Sequence, residues 1–279
     1  SRAVPDRRPI TAGRAHTLAC GFRRTDEPTN PFEPTLSHRS AATMIELFTW
    51  PTPNGHKVHI MLEECGLPYR VHGIDIRAGD QFKPEFLSIS PNNRIPAIID
   101  SDGPDGKPMS LFESGAILVY LAGKTGRFLP AADRGKYEAM EWVMWQMGGF
   151  GPMLGQAHHF MNYAPEKIEY AIKRYANETR RLYGVLDKRL EKRNYVAGAG
   201  RGEYGIADMA IWPWSRSHKN HQIDFADFPN VGRWFEAINA RPAVKRGVQV
   251  LAAERDRQGA KHSAEAWEKL FGAEQYKRR

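Results

Sequence analysis

The sequence predicts two domains, an α/β layer of order βαβαββα followed by an all-helical bundle. Three observations carry that prediction. Over residues 44–127, short apolar runs of strand character alternate with amphipathic helical stretches. From Arg134 onward the patterns are long and helical, with no credible strand. Within that second stretch, residues 207–214 are apolar all round, which marks the buried central helix of a bundle. The domains are expected at 44–127 and 134–254. An irregular extension precedes them over 1–43, and a basic tail with one short amphipathic helix follows over 255–279.

At 279 residues the chain is long enough for two domains. No run approaches the roughly 18 apolar residues of a membrane span, so no membrane partner is expected. The net charge of +8 raises the question of nucleic acid. Residues 1–43 hold seven Arg against four acids, and residues 255–279 hold seven Lys or Arg against four acids. Six of the eight net charges therefore sit in the two ends, and no nucleic-acid groove is expected in the body. Cys20 and Cys65 have no paired spacing, which excludes a disulfide scaffold and a Cys-x-x-Cys motif and suits a reducing, cytoplasmic setting.

Taken in order, residues 1–43 are rich in Arg, Pro, Ser and Thr with little apolar periodicity, hence irregular. A strand over 45–48 runs into Thr49-Trp50-Pro51-Thr52-Pro53-Asn54-Gly55. The helix after it carries Val58, Met61, Leu62 and Cys65 at i, i+3, i+4, i+7 and ends at Gly66. Cys65 thus reads as an inert buried hydrophobe. A strand over 69–75 and a short helix over 81–89 follow. Pro91 and the Asn92–Asn93 pair favour a turn, and Ala97–Asp100 is an apolar strand with Pro96 at its head. Proline cannot donate to a ladder. A cis Ile95–Pro96 bond would turn the Ile95 amide and carbonyl toward an extended, peptide-like ligand, whereas a trans proline would only mark a strand start.

Asp102-Gly103-Pro104-Asp105-Gly106 supplies a turn into the strand Met109–Phe112, and a helix begins at Ser114 with Ile117, Leu118 and Leu121 inward. Two readings of Glu113-Ser114 stay open. Either Ser114 caps the helix and Glu113 favours its positive end, or the free N–H groups and the Ser114 hydroxyl hold a carboxylate while Glu113 takes an ammonium group. In the helical half, 138–146 is expected to bury Met140, Val143, Met144 and Met147, and Gly148 to Pro152 to break or kink the helix. A long helix over 165–193 carries a stripe from Ile168 to Leu190. Helices over 231–240 and 243–251 complete the bundle. Residues 263–271 fold back onto the body through Trp267, Leu270 and Phe271.

The segments SPNNRIPAI and LFESGAILVYL resemble the glutathione-binding half of the cytosolic glutathione transferases, closest to the Nu-class and Ure2p-like branch with its disulfide-bond oxidoreductases. The resemblance runs from about Met44 to Leu251. It implies a thioredoxin-like first domain with a cis-proline, glutathione as co-substrate, and a homodimer. A glutathione-type thiol has a pKa near 8.5, and lowering it by two units takes about 2.7 kcal/mol. A helix terminus supplies roughly 0.3–1 kcal/mol and a charge-assisted hydrogen bond about 1.5–3, so donors must be aimed at the sulfur. No Tyr or Cys lies between Met44 and Met61. The loop PTPNGHK resembles the Nu-class loop, which implies Thr52 as principal donor and Asn54 as second donor. A turn role for Thr52 and an N-cap role for Asn54 are the plainer alternatives.

The resemblance further implies that Gln81 reaches the glycyl end of glutathione, with Asn93 and Arg94 nearby and Ile95–Pro96 and Glu113–Ser114 on the peptide body. A surface role is the alternative for Gln81. Arg174 resembles an arginine that meets a second glutathione, with a solvated helix charge as its alternative. His158-His159 lack the i, i+4 spacing of a zinc pair, so no metal is expected; the stretch resembles a family segment beside the cleft. The family's Ser/Thr-x-x-Asp capping box is departed from at Gly205, with Asp208 kept and the reciprocal cap lost. The implied activity is glutathione-dependent disulfide-bond reduction, with two glutathiones or oxidised glutathione per site and peroxidase activity from the same thiolate. A conjugating transferase and a non-catalytic glutathione-binding regulator are the alternatives.

Overall fold

The computed structural model describes residues 44–258 and 262–277; the expected irregular extension over 1–43, with Cys20, lies outside the described residues. Strands β1 (Ile45–Thr49), β2 (Tyr69–Gly73), β3 (Ala97–Asp100) and β4 (Met109–Phe112) form one sheet in the order β2-β1-β3-β4. β1 and β2 are parallel, so the chain must cross over between them, and helix α1 (Pro53–Cys65) is that crossover. β3 runs antiparallel to both β1 and β4. Side chains alternate across the sheet. Ile45, Leu47 and Ile98 join the core beneath α1 and α3 (Ser114–Thr125), while Phe48 and Ala97 pack with Phe86 and Ile89 on the other face. Covering on both faces is why β3 reads as an unbroken apolar run. Gly66, at φ 67°, closes α1 by donating to the Leu62 carbonyl.

The helix expected over 81–89 is two pieces, a 3-10 turn Asp80–Phe82 and helix α2 (Pro84–Leu87). Pro84 has no N–H to return to the preceding turn, so it ends one piece and starts the next. The helical half comprises α4 (Asp133–Trp145), α5 (Gly151–His158), α6 (Glu169–Leu190), α7 (Ile206–Ser215), α8 (Pro229–Asn239), α9 (Pro242–Gly247), α10 (Ala252–Gln258) and α11 (Ala264–Phe271). The break expected at 148–152 is instead a π-helical turn, Gln146–Phe150, with helical backbone on both sides of it. Pro152 brings no N–H and crowds the carbonyl one turn back, and a widened turn absorbs both effects without ending the helix. Met144 points outward at 54% exposure rather than into the core. The long helix starts at Glu169, so Ile168 lies outside it and is exposed.

α7 is buried almost throughout, and one apolar core runs from the sheet through α1 and α3 to α7 and α8. Gly247 lets α9 lie on α1, since a Cβ there would sit 3.0 Å from the Ile60 backbone. At the head of α7 half of the capping box survives. The Gly205 N–H donates to Asp208 Oδ2 at 3.0 Å, while Oδ1 accepts from the Val196 N–H at 3.0 Å and from Trp234 Nε1 at 2.8 Å. Burial pushes the Asp208 carboxyl up to about 6. Glycine stands at 205 because a Cβ would meet the Phe128 carbonyl at 2.7 Å; that carbonyl accepts from the Ile206 N–H at 3.0 Å. A backbone acceptor thus serves the first N–H of the helix, a different donor from the one a capping hydroxyl takes. Among the described residues, no helix is long and apolar enough to cross a membrane.

Candidate active site

The sheet register brings the predicted segments to one end. Phe48 pairs with Ala97, and Ala97 with Phe112. The end of β1, the start of β3 and the end of β4 therefore stand side by side at the roughly 4.8 Å spacing of neighbouring strands. Leading out of that edge are the Trp50–Gly55 loop, Ile95–Pro96 and Glu113–Ser114. β2 ends there too, with Thr49 opposite Gly73 and the Ile74 N–H donating to the Thr49 carbonyl at 2.9 Å. The segment 74–81 follows from it. The Ile95–Pro96 bond is cis, as the sequence predicts.

At the head of α1, Thr52 rather than Asn54 is the N-cap. Its Oγ1 accepts from the Gly55 N–H at 3.2 Å, with Pro53 in the first helical turn. Having accepted through its oxygen, the Thr52 hydroxyl keeps its proton for another partner. Asn54 Oδ1 accepts from Trp214 Nε1 at 3.0 Å, which leaves the Asn54 amide group as a donor. Asn54 sits second in the helix, where its own N–H has no intrahelical acceptor. Gly55 is required by close approach, for a Cβ would lie 2.1 Å from the Trp50 carbonyl oxygen. Trp214 comes from α7, 160 residues away, and sequence reasoning missed it. A tryptophan ending an apolar helix carries no signal of such a contact.

Gln81 is buried at 2% exposure, not at the surface. Its Nε2 donates to the Ile76 carbonyl at 3.2 Å, and its Oε1 is buried with no hydrogen-bond partner among the described residues. Asn93 takes φ 48°, a left-handed conformation that asparagine tolerates, and Arg94 is exposed and donates to Gln275 Oε1 at 2.8 Å and to Asn93 Oδ1. The C-terminal residues thus reach the loop before the cis-proline. Trp267 Nε1 likewise donates to the Tyr163 carbonyl at 3.2 Å, and Phe271 lies against His159 with ring centroids 4.8 Å apart, as the fold-back expectation has it.

At the head of α3 the N-cap is Glu113, at φ 69°, and its side chain makes no capping bond. Ser114 is the first helical residue, so it does not cap the helix. Its Oγ instead meets Lys57 Nζ at 3.3 Å. A glutamate held at positive φ is strained backbone, of the kind that clusters at ligand sites. The first N–H groups of α3 have no side-chain partner, and they carry the positive end of its dipole. Among the described residues, no contact brings Arg174 together with these groups. It stands exposed on α6 in an open groove with Tyr170, Lys173, Asn177, Glu178 and Arg181 of the same helix. His158 Nδ1 lies 3.3 Å from His221 Nε2, and its Nε2 lies 3.0 Å from the Tyr163 hydroxyl. Cys65 is half-buried, not sealed in the core; its Sγ lies 3.7 Å from Thr125 Oγ1, and burial pushes its thiol up.

A four-stranded mixed sheet with a cis-proline at its edge, joined to a helical domain that reaches into the α1 loop, defines a thioredoxin-like protein with a helical second domain. The chain matches the glutathione S-transferase N-terminal domain over residues 43–123 and the glutathione S-transferase C-terminal domain over residues 147–242. It belongs to the glutathione S-transferase family. It is 54% identical over 212 residues to the disulfide-bond oxidoreductase YfcG of Escherichia coli, covering 76% of this chain and 96% of the relative. Among solved structures it is similar to a glutathione transferase of Burkholderia graminis with two glutathione molecules per subunit. That match has TM-score 0.71 and 48% identity, over 76% of this chain and 90% of the other. A glutathione transferase of Pseudomonas putida with one glutathione disulfide per subunit matches at TM-score 0.71 and 44% identity, over 76% and 94%.

Proposed function

We infer that the protein is a glutathione-dependent disulfide-bond reductase. One observation carries this reading: at the head of α1 both side-chain acceptors are already occupied, Thr52 Oγ1 by the Gly55 N–H and Asn54 Oδ1 by Trp214 Nε1. What remains for another partner is a hydroxyl proton, an amide NH2 and the N–H of Asn54. Such a cluster stabilises an anion, and a thiolate is the anion that disulfide exchange needs. The rest of the edge suits glutathione. The cis Ile95–Pro96 segment, with Asn93 and Arg94, offers backbone to its peptide body. The buried Gln81 and its unpartnered Oε1 sit on the segment assigned to its glycyl end. Ser114 and Glu113 match its carboxylate and ammonium. The names of its relatives, and the glutathione or glutathione disulfide bound in similar structures, support the same reading.

In the reaction the glutathione thiolate attacks one sulfur of a substrate disulfide and releases the other as a thiolate. A second glutathione thiolate then releases the remaining substrate thiol and leaves glutathione disulfide. Arg174 is assigned to that second glutathione, and hydroperoxide reduction would use the same thiolate. Cys65 takes no part, in keeping with its raised thiol. We further assign the chain to the Nu class, to a reducing cytoplasm and to a homodimer. The exposed large apolar side chains Phe112 on edge strand β4 and Tyr137 and Met144 on α4 are compatible with a contact surface.

The test is turnover of 2-hydroxyethyl disulfide with glutathione, coupled to glutathione reductase, beside conjugation of 1-chloro-2,4-dinitrobenzene. Strong reduction with weak conjugation is expected. The reverse ranking would make this a conjugating transferase, and glutathione binding without either reaction would make it a regulator.

A further inference from the structure

Lys57, on the inward face of α1, is exposed to only 1%, yet among the described residues it forms no ion pair. Its Nζ lies 2.6 Å from Gln146 Oε1, 3.3 Å from Ser114 Oγ and 3.4 Å from Met147 Sδ. Three donors meet three neutral acceptors, drawn from α3 and from the π turn after α4. Burial pushes the ammonium down to about 7, and Glu113 is the one charged group that acts on it, drawing it up. Neither Asp208 of α7, nor Lys245 and Arg246 of α9, nor His56 and His59 of its own helix contributes. A buried charge without a counter-charge is costly to keep. Ser114 is the first residue of α3, next to the exposed Glu113 and the helix's free N–H groups, and its hydroxyl donates to the weak acceptor Met147 Sδ at 3.7 Å.

We propose that Lys57 is a positioning residue for the γ-glutamyl carboxylate of glutathione: it donates to Ser114 Oγ, turns the hydroxyl proton toward the carboxylate, and supplies the counter-charge beneath it. The proposal rests on the glutathione reading above. A hydroxyl whose oxygen accepts from an ammonium is a stronger donor to an anion. The γ-glutamyl end carries a carboxylate and an ammonium on one carbon, and the head of α3 offers Lys57 to the first and Glu113 to the second. The pair would therefore select an intact γ-glutamyl α-amino acid against peptides that lack it. An arriving carboxylate favours the charged lysine, so above neutrality ligand binding should draw a proton onto Lys57.

The test uses S-methylglutathione, which has no ionisable thiol, and calorimetric titration at about pH 8 in two buffers of different ionisation enthalpy. Wild-type protein should take up a fraction of a proton on binding, beyond any uptake seen with Lys57→Met. Lys57→Met should bind about tenfold more weakly, and in turnover the loss should fall on the KM for glutathione rather than on kcat. Lys57→Met leaves the buried Gln146 Oε1 without its donor and should lower the Tm, so Lys57→Gln, which keeps a neutral donor, provides the second variant. If wild type binds, Ser114→Ala weakens binding, and both lysine variants still bind within about twofold with unchanged proton uptake, Lys57 has no such role. Failure of wild type to bind S-methylglutathione at all would instead overturn the glutathione reading, and this one with it.

Discussion

Two helix N-termini, those of α1 and α3, stand at the same end of the sheet and are finished differently. The head of α1 is closed: Thr52 caps it, and Trp214 from the helical domain fixes Asn54. The head of α3 is open: Glu113 stands there at φ 69° without a capping bond, and a lysine is buried behind Ser114. Both present positive potential, but only the first has its side-chain acceptors occupied so that donors alone remain. Under the proposed function, that difference would give chemistry to one terminus and binding to the other. A helix dipole contributes roughly 0.3–1 kcal/mol wherever it lies, and the side chains decide what it is used for.

Substitutions can break that division. Thr52→Ala should cut disulfide reduction at least about tenfold, since a charge-assisted hydrogen bond contributes roughly 1.5–3 kcal/mol. The loss should fall on kcat; near-normal turnover would move the role to Asn54. Ser114→Ala should act at the other terminus, raising the KM for glutathione about tenfold with a smaller effect on kcat, as steady-state kinetics would read. An equal fall in both constants would erase the distinction between the two heads. Trp214→Phe leaves Asn54 in place but unanchored, and about a threefold loss in kcat/KM is expected. No loss would mean that the cross-domain bond does not orient Asn54. Smallest of all, Cys65→Ser should change turnover less than about twofold, because its raised thiol is a poor nucleophile. Abolished turnover would sink the cysteine-free mechanism.

Most of the fold was legible because local signals agreed with it. Ala97–Asp100, Met109–Phe112 and the Gly66 stop fall where apolar runs and turn residues put them. The plainer alternative put the N-cap at Asn54 and a turn at Thr52 and was wrong, although Pro53 suits the first helical position and so marks the residue before it as the cap. For Gln81 and Ser114 the plainer alternatives, a surface position and a helix cap, do not hold. Burial of the first, and the lysine partner of the second, come from distant parts of the chain. Trp214, Lys57 and Gln146 could not be read at all, since each acts across 57 to 160 residues of sequence. Gly205 looked only like a lost cap, yet its small size admits the Phe128 carbonyl, which accepts from the first N–H of α7. The π turn at 146–150 hid behind Gly and Pro, which announce a break and here widen a helix instead.

The central claim is that donors at the head of α1 hold glutathione as a thiolate, and the pKa of the bound thiol tests it most directly. It is read from ultraviolet thiolate absorbance against pH, in wild type and in Thr52→Ala. A bound thiol titrating about two units below its free value of roughly 8.5 in wild type, and moving most of the way back in the variant, is the expected result. A bound thiol that titrates at its free value while disulfide reduction runs at full rate would contradict the account.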